Sequence, residues 1–481
     1  MVTTQKITAN TSFFMVALVF QKLLSFIYFT FLARYLGAEA TGQYFFAVSF
    51  ATMFSVLIDI GLSTVLIKEV AKNSPDNEKW FHQIFTLKLL FSVVTALLII
   101  VLDRIFFYND QVRTLIYLTT AIVAVDSFIL LFYAFIRGRQ NLRYESWGTM
   151  IFQIIVLSLG FSLMQFTKNV FLFLIVLFTA SLFNLIYSGL VLNKRFRVKF
   201  RLVYSKKLVK KILLITLPFA LAAIFAKVYA YIDTFFLKLF LGDAEVGFYS
   251  VAYKITFALQ FIPLAFVASL YPAFSDYFKN DYQSLRKVLV KSFNYLAFIS
   301  LPISLGIVAL AEEIINKIYT ESFSYSILPL QILIISIPFL FINFALSYFL
   351  NATDRQKINT RNLGLVMVLN IVLNLILIPR LGIWGASLAS SISTICLFSL
   401  NLQAVSKVIE LRWGMFRTLF YALFSALVML PAVYFLKTVI YWPLTIIVGG
   451  LLYFILMFIT GALKKADLIF IKNSFSRSKS R

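Results

Sequence analysis

Two lysines, Lys22 and Lys227, are the residues of this sequence whose type and spacing most directly predict chemistry. Each lies inside a long apolar run, and the pattern Leu-Gly-x4-Gly-x-Tyr follows each run, beginning at Leu36 and again at Leu241. The pattern predicts a tight outer turn, because glycine permits a positive φ. The lysines and the two patterns share one offset of 205 positions. A charge within a membrane helix is costly unless it faces a polar cavity or a partner. The repeat therefore predicts two cations on the walls of one anion-binding cavity; the alternative is that each packs against a carboxylate elsewhere.

Five further ionisable groups lie within apolar runs: Asp59, Lys88, Asp126, Asp233 and Lys254. The three carboxylates are candidate sites for a coupling proton or Na⁺, since a carboxylate in a membrane cavity can bind either; bracing of helices is the alternative. Lys254 is predicted to add a third cavity cation or to form an ion pair with Asp233. Lys88 lies near the start of its run and is predicted to extend its ammonium group to the membrane interface.

Composition predicts a polytopic membrane protein. Hydrophobic residues make up 61% of the 481 residues, charged residues only 13%, and the mean hydropathy is +0.90. Such a chain has too few polar residues to cover a soluble domain. One cysteine and one histidine exclude a disulfide framework and leave no Cys/His metal site. We therefore expect no catalytic residues, no bound metal and no cofactor, apart from H⁺ or Na⁺ coupling.

The basic residues predict the orientation of the chain. Thirty-two lysines and arginines fall in one set of alternate loops and termini, and eight fall in the other set. The positive-inside rule then places both termini in the cytoplasm. It also accounts for the net charge of +24 without a nucleic-acid partner. The fourteen apolar runs lie roughly at 12–33, 42–67, 84–102, 114–136, 147–166, 169–192, 212–240, 247–275, 291–311, 323–350, 362–379, 382–402, 416–436 and 441–463.

The repeat divides the predicted fold. An Arg-Gln pair follows the fourth run at Arg139 and the tenth at Arg355, so each copy contains six helices and both copies cross the membrane in the same direction. The predicted domains are an N-lobe (1–193), a basic cytoplasmic linker (194–211), a C-lobe (212–403) and a final segment with helices 13 and 14 and a basic tail (404–481). The linker either contacts anionic headgroups or a cytoplasmic partner, or it is an ordinary positive-inside anchor.

Several segments resemble the polysaccharide transporter family, the lipid-linked oligosaccharide flippases of the MATE-like MOP superfamily. The segments are Ala33-Arg34-Tyr-Leu-Gly37-x4-Gly42-x-Tyr44, Asp59-Ile-Gly61-Leu-Ser63, Leu217-Pro218-Phe219, Ile232-Asp233 and Leu241-Gly242-Asp-Ala-Glu-Val-Gly247-Phe-Tyr249. The resemblance implies an all-α protein of about 14 transmembrane helices, with two pseudo-symmetric six-helix lobes in a V shape and two C-terminal helices.

The resemblance also implies a function in the cytoplasmic membrane. A flippase of this kind moves a polyprenyl-(pyro)phosphate-linked oligosaccharide to the outer leaflet by alternating access. Lys22, Lys227 and Lys254 would then contact phosphate or acidic sugars, Arg34 would be a gate residue, and helices 13 and 14 would accept the prenyl tail. The expected partners are the lipid-linked substrate, the bilayer and glycan-assembly proteins, with a functional monomer. A peptidoglycan-precursor flippase and a cation-coupled multidrug exporter remain the alternatives. An enzyme is not expected.

Overall fold

The computed structural model describes residues 4–72, 76–106, 108–410 and 416–462, which form seventeen α-helices and no strand. The predicted basic tail lies outside the described residues. One π-helical turn (Ile314–Tyr319) and one 3₁₀ helix (Glu321–Ser326) stand between α11 and α12. The helices are α1 (Thr4–Leu36), α2 (Ala38–Asp59), α3 (Leu62–Ala71), α4 (Asn77–Phe106), α5 (Asp110–Gly138), α6 (Arg143–Leu163), α7 (Val170–Phe196), α8 (Lys206–Phe240), α9 (Asp243–Leu259), α10 (Phe261–Asn280), α11 (Tyr282–Glu313), α12 (Ile327–Ile335), α13 (Ile337–Ala352), α14 (Gln356–Leu381), α15 (Ile383–Ser406), α16 (Arg417–Val439) and α17 (Trp442–Ile459).

Most of these helices are long and apolar enough to cross a bilayer. Among the described residues, thirteen spans meet that condition by length and composition. The count becomes fourteen if Glu321–Ile335 and Ile337–Ala352, which meet at a bend of 41°, form one span. Helices suit this environment because they satisfy every backbone hydrogen bond internally. The prediction of an all-α protein with about fourteen spans is confirmed.

The second predicted run is not continuous. The chain breaks between α2 and α3 at Gly61, whose φ of +87° is one that other residues adopt only with strain. A Cβ at this position would also lie 3.0 Å from Phe219 of α8. The Asp59 carboxylate accepts a hydrogen bond from the backbone N–H of Ser63, in the first turn of α3, at 3.0 Å. The break therefore places a carboxylate at a helix junction.

The helices form two compact units. One contains α1 to α9 and most of α14; the other contains α10 to α13, most of α15, α16 and α17. In the first unit, α5 packs against α7 and α2, and α2 also packs against α8. In the second, α11 packs against α13 and α16, around buried residues such as Phe341 and Tyr453. The division at 1–193, 194–211, 212–403 and 404–481 stays a prediction.

The repeated glycine pattern forms the turns that the sequence predicts. Gly37, between α1 and α2, has a φ of +80°, and Gly242, between α8 and α9, has a φ of +131°. Both values lie in the region that favours glycine, so the predicted tight turns are confirmed. Each turn reverses the chain after a lysine-bearing helix, so that α2 follows α1 and α9 follows α8.

Candidate functional site

Three lysines from three helices form the candidate site, which we call the lysine cluster: Lys22 on α1, Lys227 on α8 and Lys254 on α9. Lys22 lies fourteen residues before Leu36, and Lys227 lies fourteen residues before Leu241, the first residues of the two Leu-Gly patterns that end their helices. The two repeat-related lysines therefore stand at matching depths. Lys22 is exposed, whereas Lys227 and Lys254 are half-buried.

Aromatic rings hold the ammonium groups of the cluster. Lys22 Nζ lies 5.6 Å from the ring centroid of Phe257, which is one turn from Lys254 on α9. Lys254 Nζ lies 5.1 Å from the centroid of Phe29 on α1 and 5.5 Å from that of Phe45 on α2. Cations over aromatic faces gain electrostatic stabilisation without losing their charge. These contacts tie α1, α2 and α9 together around the lysines.

The cluster is positive and is not neutralised within the described chain. Lys22 is close enough for its charge to act on both Lys227 and Lys254. None of the three forms an ion pair with a carboxylate of the described residues. Like charges repel strongly where the dielectric is low. An anion bound among the lysines would therefore stabilise them; for the alternative that each packs against a carboxylate, the described residues show no such pair.

The structure does not bring Arg34 to the lysine cluster. Arg34 lies in the last turn of α1, twelve residues after Lys22. At 1.5 Å per residue this is about 18 Å along the helix axis. Its side chain is exposed near the turn at Gly37. A gate role for Arg34 stays a prediction.

Asp233 forms the centre of a second polar group, which we call the Asp233 network. This carboxylate is 3% exposed. Tyr249 Oη donates to Asp233 Oδ2 at 2.7 Å, and Asn374 Nδ2 donates to Asp233 Oδ1 at 2.7 Å. Asn374 also donates to Asn370 O at 2.8 Å. The predicted ion pair between Asp233 and Lys254 is wrong, because α9 turns Lys254 toward α1 and α2 and presents Tyr249 to Asp233 instead.

Two atoms of the Asp233 network lack a hydrogen-bond partner in the described structure. They are Asn370 Nδ2 and Asn374 Oδ1, and both asparagines are fully buried. Buried polar atoms are nearly always paired, so an unpaired oxygen beside a carboxylate has spare capacity for a cation or a proton-carrying group. Neither asparagine is among the site residues predicted from the sequence. Their i, i+4 spacing within an apolar run was the available signal, since it puts two amides on one helix face.

Asp59 forms an ion pair with Lys88. Lys88 Nζ lies 2.9 Å from Asp59 Oδ1 and also donates to Ser127 O at 2.6 Å and Ser127 Oγ at 3.0 Å. Lys88 is fully buried, so the prediction that it extends to the interface is wrong. The physical reason is that α4 begins at Asn77, eleven residues before Lys88, which places this ammonium group deep in the helix.

Asp126 lies on α5, and its side chain is exposed. It accepts a hydrogen bond from Ser181 Oγ of α7 at 2.7 Å. The structure therefore separates the three candidate coupling carboxylates by environment. Asp59 has a cation, Asp126 has a hydroxyl, and Asp233 has a phenol and an amide. Coupling by any of them stays a prediction.

Comparisons with known proteins agree with this architecture. Residues 7–278, more than half of the chain, match the family described as polysaccharide biosynthesis protein, and residues 218–376 match the MatE family. The chain is 21% identical over 427 residues to the probable low-salt glycan biosynthesis flippase Agl15 of Haloferax volcanii, covering 88% of this chain and 89% of that protein. It is 20% identical over 389 residues to the capsular polysaccharide biosynthesis protein CapF of Staphylococcus aureus, covering 80% and 95%.

Solved structures share the fold. The lipid II flippase MurJ in an inward closed conformation matches with a TM-score of 0.78 at 16% identity, over 95% of this chain and 99% of that one. An inward-facing multidrug resistance MATE transporter of the MOP superfamily matches with a TM-score of 0.67 at 14% identity, over 81% and 94%. The family resemblance drawn from the repeated motifs is confirmed. The chain is a multi-pass membrane protein of the polysaccharide biosynthesis family, and it shares its fold with the solved MurJ and MATE structures.

Proposed function

We propose that the protein is a flippase that moves a polyprenyl-(pyro)phosphate-linked oligosaccharide from the inner to the outer leaflet of the cytoplasmic membrane. The observation that carries this proposal is the lysine cluster. The charge of Lys22 acts on both Lys227 and Lys254 within membrane-spanning helices, and no described carboxylate pairs with these lysines. A phosphate or pyrophosphate group supplies the charge that this arrangement lacks.

The names of two relatives support the same cargo. One is called a probable glycan biosynthesis flippase and the other a capsular polysaccharide biosynthesis protein. Both processes handle sugars, and a lipid-linked sugar combines a polar head with an anionic linkage. Lys22, Lys227 and Lys254 would hold the anionic linkage while the prenyl tail stays in the surrounding lipid.

Alternating access fits the repeat. Lys22 and Lys227 belong to equivalent helices of two copies that cross the membrane in the same direction, and transporters of this design bind substrate between their repeats. In the orientation predicted from the basic residues, the turns at Gly37 and Gly242 lie on the outer side. The close packing of Gly42 against Asp243 and of Gly247 against Ala38, just after these turns, would then close the outer end of the path. Separation of α1 and α2 from α8 and α9 would open it.

The Asp233 network is the proposed coupling site. Its buried carboxylate has two oxygens held by Tyr249 and Asn374, and an unpaired amide oxygen lies in the same group. A proton or Na⁺ bound here would neutralise Asp233 six residues from Lys227 on the same helix. Loading of the cation would thereby change the charge close to the anion site.

The direct test is transport by the purified full chain in liposomes. A fluorescent lipid-pyrophosphate-linked oligosaccharide is placed in one leaflet, and the rate of its movement is compared for wild type and Lys22→Ala/Lys227→Ala. We expect the double variant to lose at least about tenfold in rate, which corresponds to about 1.4 kcal/mol. Lys279→Ala/Lys287→Ala, which removes two cations from a predicted cytoplasmic loop, should transport like wild type.

The other outcomes are equally decisive. Transport that survives the loss of both lysines would overturn the site while leaving the family unchanged. Movement of a lipid-linked peptidoglycan precursor but not of the oligosaccharide would replace the proposed cargo. Export of cationic dyes without movement of either lipid would identify a multidrug exporter instead.

A further inference from the structure

The basic linker between α7 and α8 is held in place on the surface of α4. Residues 197–205 run from α7 to α8 without helical structure. Side chains on one face of α4 pair with the linker backbone at three points. The pairs are His82 Nε2 with Lys199 O at 2.6 Å, Thr86 Oγ1 with Val203 N at 3.1 Å, and Gln83 Oε1 with Ser205 N at 2.7 Å.

Apolar side chains of the linker fix the same contact. Val198 is 1% exposed and belongs to the core formed by α3, α4 and α5. The ring centroid of Phe200 lies 5.3 Å from that of Phe132 and 5.9 Å from that of Phe85. Because the backbone and two side chains are anchored, the remaining side chains of this segment have a defined surface to occupy.

The cations of the linker lie on that outer surface. Arg197, Lys199 and Arg201 alternate with the anchored Val198 and Phe200, and all three are exposed. Lys199 and Arg201 flank Phe200, and Arg197 ends α7 with a φ of +57°. The whole linker, residues 194–211, carries nine lysines and arginines and no acidic residue. None of these cations pairs with a carboxylate in the described parts of the chain.

Two large side chains next to the cations are left uncovered. Leu202 is 68% exposed and Tyr204 is 72% exposed. A tyrosine with an exposed apolar ring and a polar hydroxyl is typical of the membrane–water interface. Exposed apolar groups flanked by cations suit a surface that is both apolar and anionic.

The length of α8 places the linker at that interface. The helix has 35 residues and is therefore about 52 Å long, whereas the hydrocarbon core of a bilayer is about 30 Å thick. Its apolar run begins at Ile212, so the basic turns that begin at Lys206 precede the apolar part of the helix. Lys206 and Lys207 are exposed in these first turns and lie next to the anchored segment.

We propose that residues 194–211 form a binding site for the headgroups of anionic phospholipids in the leaflet on the predicted cytoplasmic side, with Leu202 and Tyr204 inserted among the lipids. Basic residues near an anionic membrane surface each contribute to attraction. Since the linker is anchored to α4 and continues into α8, bound lipid stabilises the position of the helix that carries Lys227.

The test measures lipid binding to the purified full chain by native mass spectrometry. Wild type is titrated with phosphatidylglycerol and, in parallel, with phosphatidylcholine. The linker variant is Lys199→Gln/Arg201→Gln/Lys207→Gln. The control variant, Lys279→Gln/Arg286→Gln/Lys287→Gln, removes the same charge from the end of α10 and the start of α11, on the predicted cytoplasmic side. We expect wild type and the control to prefer phosphatidylglycerol, and the linker variant to bind it at least about tenfold more weakly.

Three results would overturn the proposal: no preference of wild type for the anionic lipid, equal binding by the linker variant, or an equal loss in both variants. Leu202→Ser/Tyr204→Ser provides a second probe that keeps every charge and alters only exposed side chains, and we expect weaker phosphatidylglycerol binding. A linker variant that binds lipid normally but fails in cells would indicate an acidic protein partner and would also overturn the lipid site. This readout does not depend on transport.

Discussion

Gly42 and Gly247 make reciprocal contacts with equivalent backbone atoms. A Cβ at Gly42 would lie 1.7 Å from Asp243 O, and a Cβ at Gly247 would lie 1.9 Å from Ala38 O. Asp243 follows Ala38 by the 205 positions that also separate the two glycines. The two copies of the repeat therefore meet through the same surface, as the subunits of a two-fold dimer do.

This contact predicts that even one added methyl group will separate the helices. Gly42→Ala or Gly247→Ala should move α2 away from α9, since the nearest atoms are backbone and cannot rotate aside. The overpacking between α2 and α9 should reduce the free energy of unfolding by about 1–3 kcal/mol. The check is a pulsed electron paramagnetic resonance distance between spin labels at Glu39 and Ala244, in a Cys396→Ser background. We expect the distance to increase.

Gly450→Ala is the matched control, because a Cβ there has no atom within 4 Å. It should leave the label distance at its wild-type value. An unchanged distance in Gly42→Ala and Gly247→Ala as well would contradict the requirement for close helix packing.

The Asp59–Lys88 pair predicts a stability defect that a second substitution corrects. Lys88→Met removes the cation from Asp59 and should reduce the free energy of unfolding by about 2–3 kcal/mol. This is less than for fully buried pairs, since the Asp59 side chain is 21% exposed. Lys88→Met/Asp59→Asn should recover part of the loss, because no uncompensated carboxylate remains. Thermal unfolding in detergent measures both, and a double variant no more stable than Lys88→Met would show that the pair is not the cause.

The Asp233 network predicts which carboxylate couples transport to an ion gradient. Asp233→Asn keeps the shape of the side chain but cannot carry a negative charge. We expect it to abolish the response of transport to an imposed H⁺ or Na⁺ gradient. Asp126→Asn should keep the response, because its partner is the Ser181 hydroxyl and no amide group surrounds it. Rates in liposomes with and without each gradient test this, and a response that persists in Asp233→Asn would exclude this site.

Asp281, which lies outside the membrane spans, caps the start of α11, and we expect the stability that it contributes to depend on pH. The Ser284 hydroxyl and backbone N–H hold the pKa of Asp281 below its ordinary value. Because the pKa is lowered, the ionised cap stabilises α11 at pH values above about 3.9, the ordinary pKa of aspartate. This contribution is lost as the pH falls through the lowered pKa. Asp281→Ala should therefore melt at a lower temperature than wild type at neutral pH, and the difference should shrink in acid. A constant difference between the two melting temperatures across pH would contradict the role of the ionised cap.

Features that depend on short stretches of chain can be predicted from the amino-acid sequence. Hydrophobic runs predicted an all-α membrane protein of about fourteen spans, because each span must be apolar over its own length. Glycine spacing predicted the turns at Gly37 and Gly242, since a positive φ is a property of single residues. The same offset predicted that Lys22 and Lys227 are equivalent.

Tertiary structure decided the partners of the buried polar groups. Asn374 lies 141 positions from Asp233, and Ser127 lies 39 positions from Lys88. Helices that are apolar on most faces do not encode which face meets which neighbour, so the rotation of each helix is fixed only by packing against the others. The rotation of α9 places Lys254 against Phe29 and Phe45. Asp233 accepts hydrogen bonds from Tyr249 and Asn374. Lys88 is buried against Asp59.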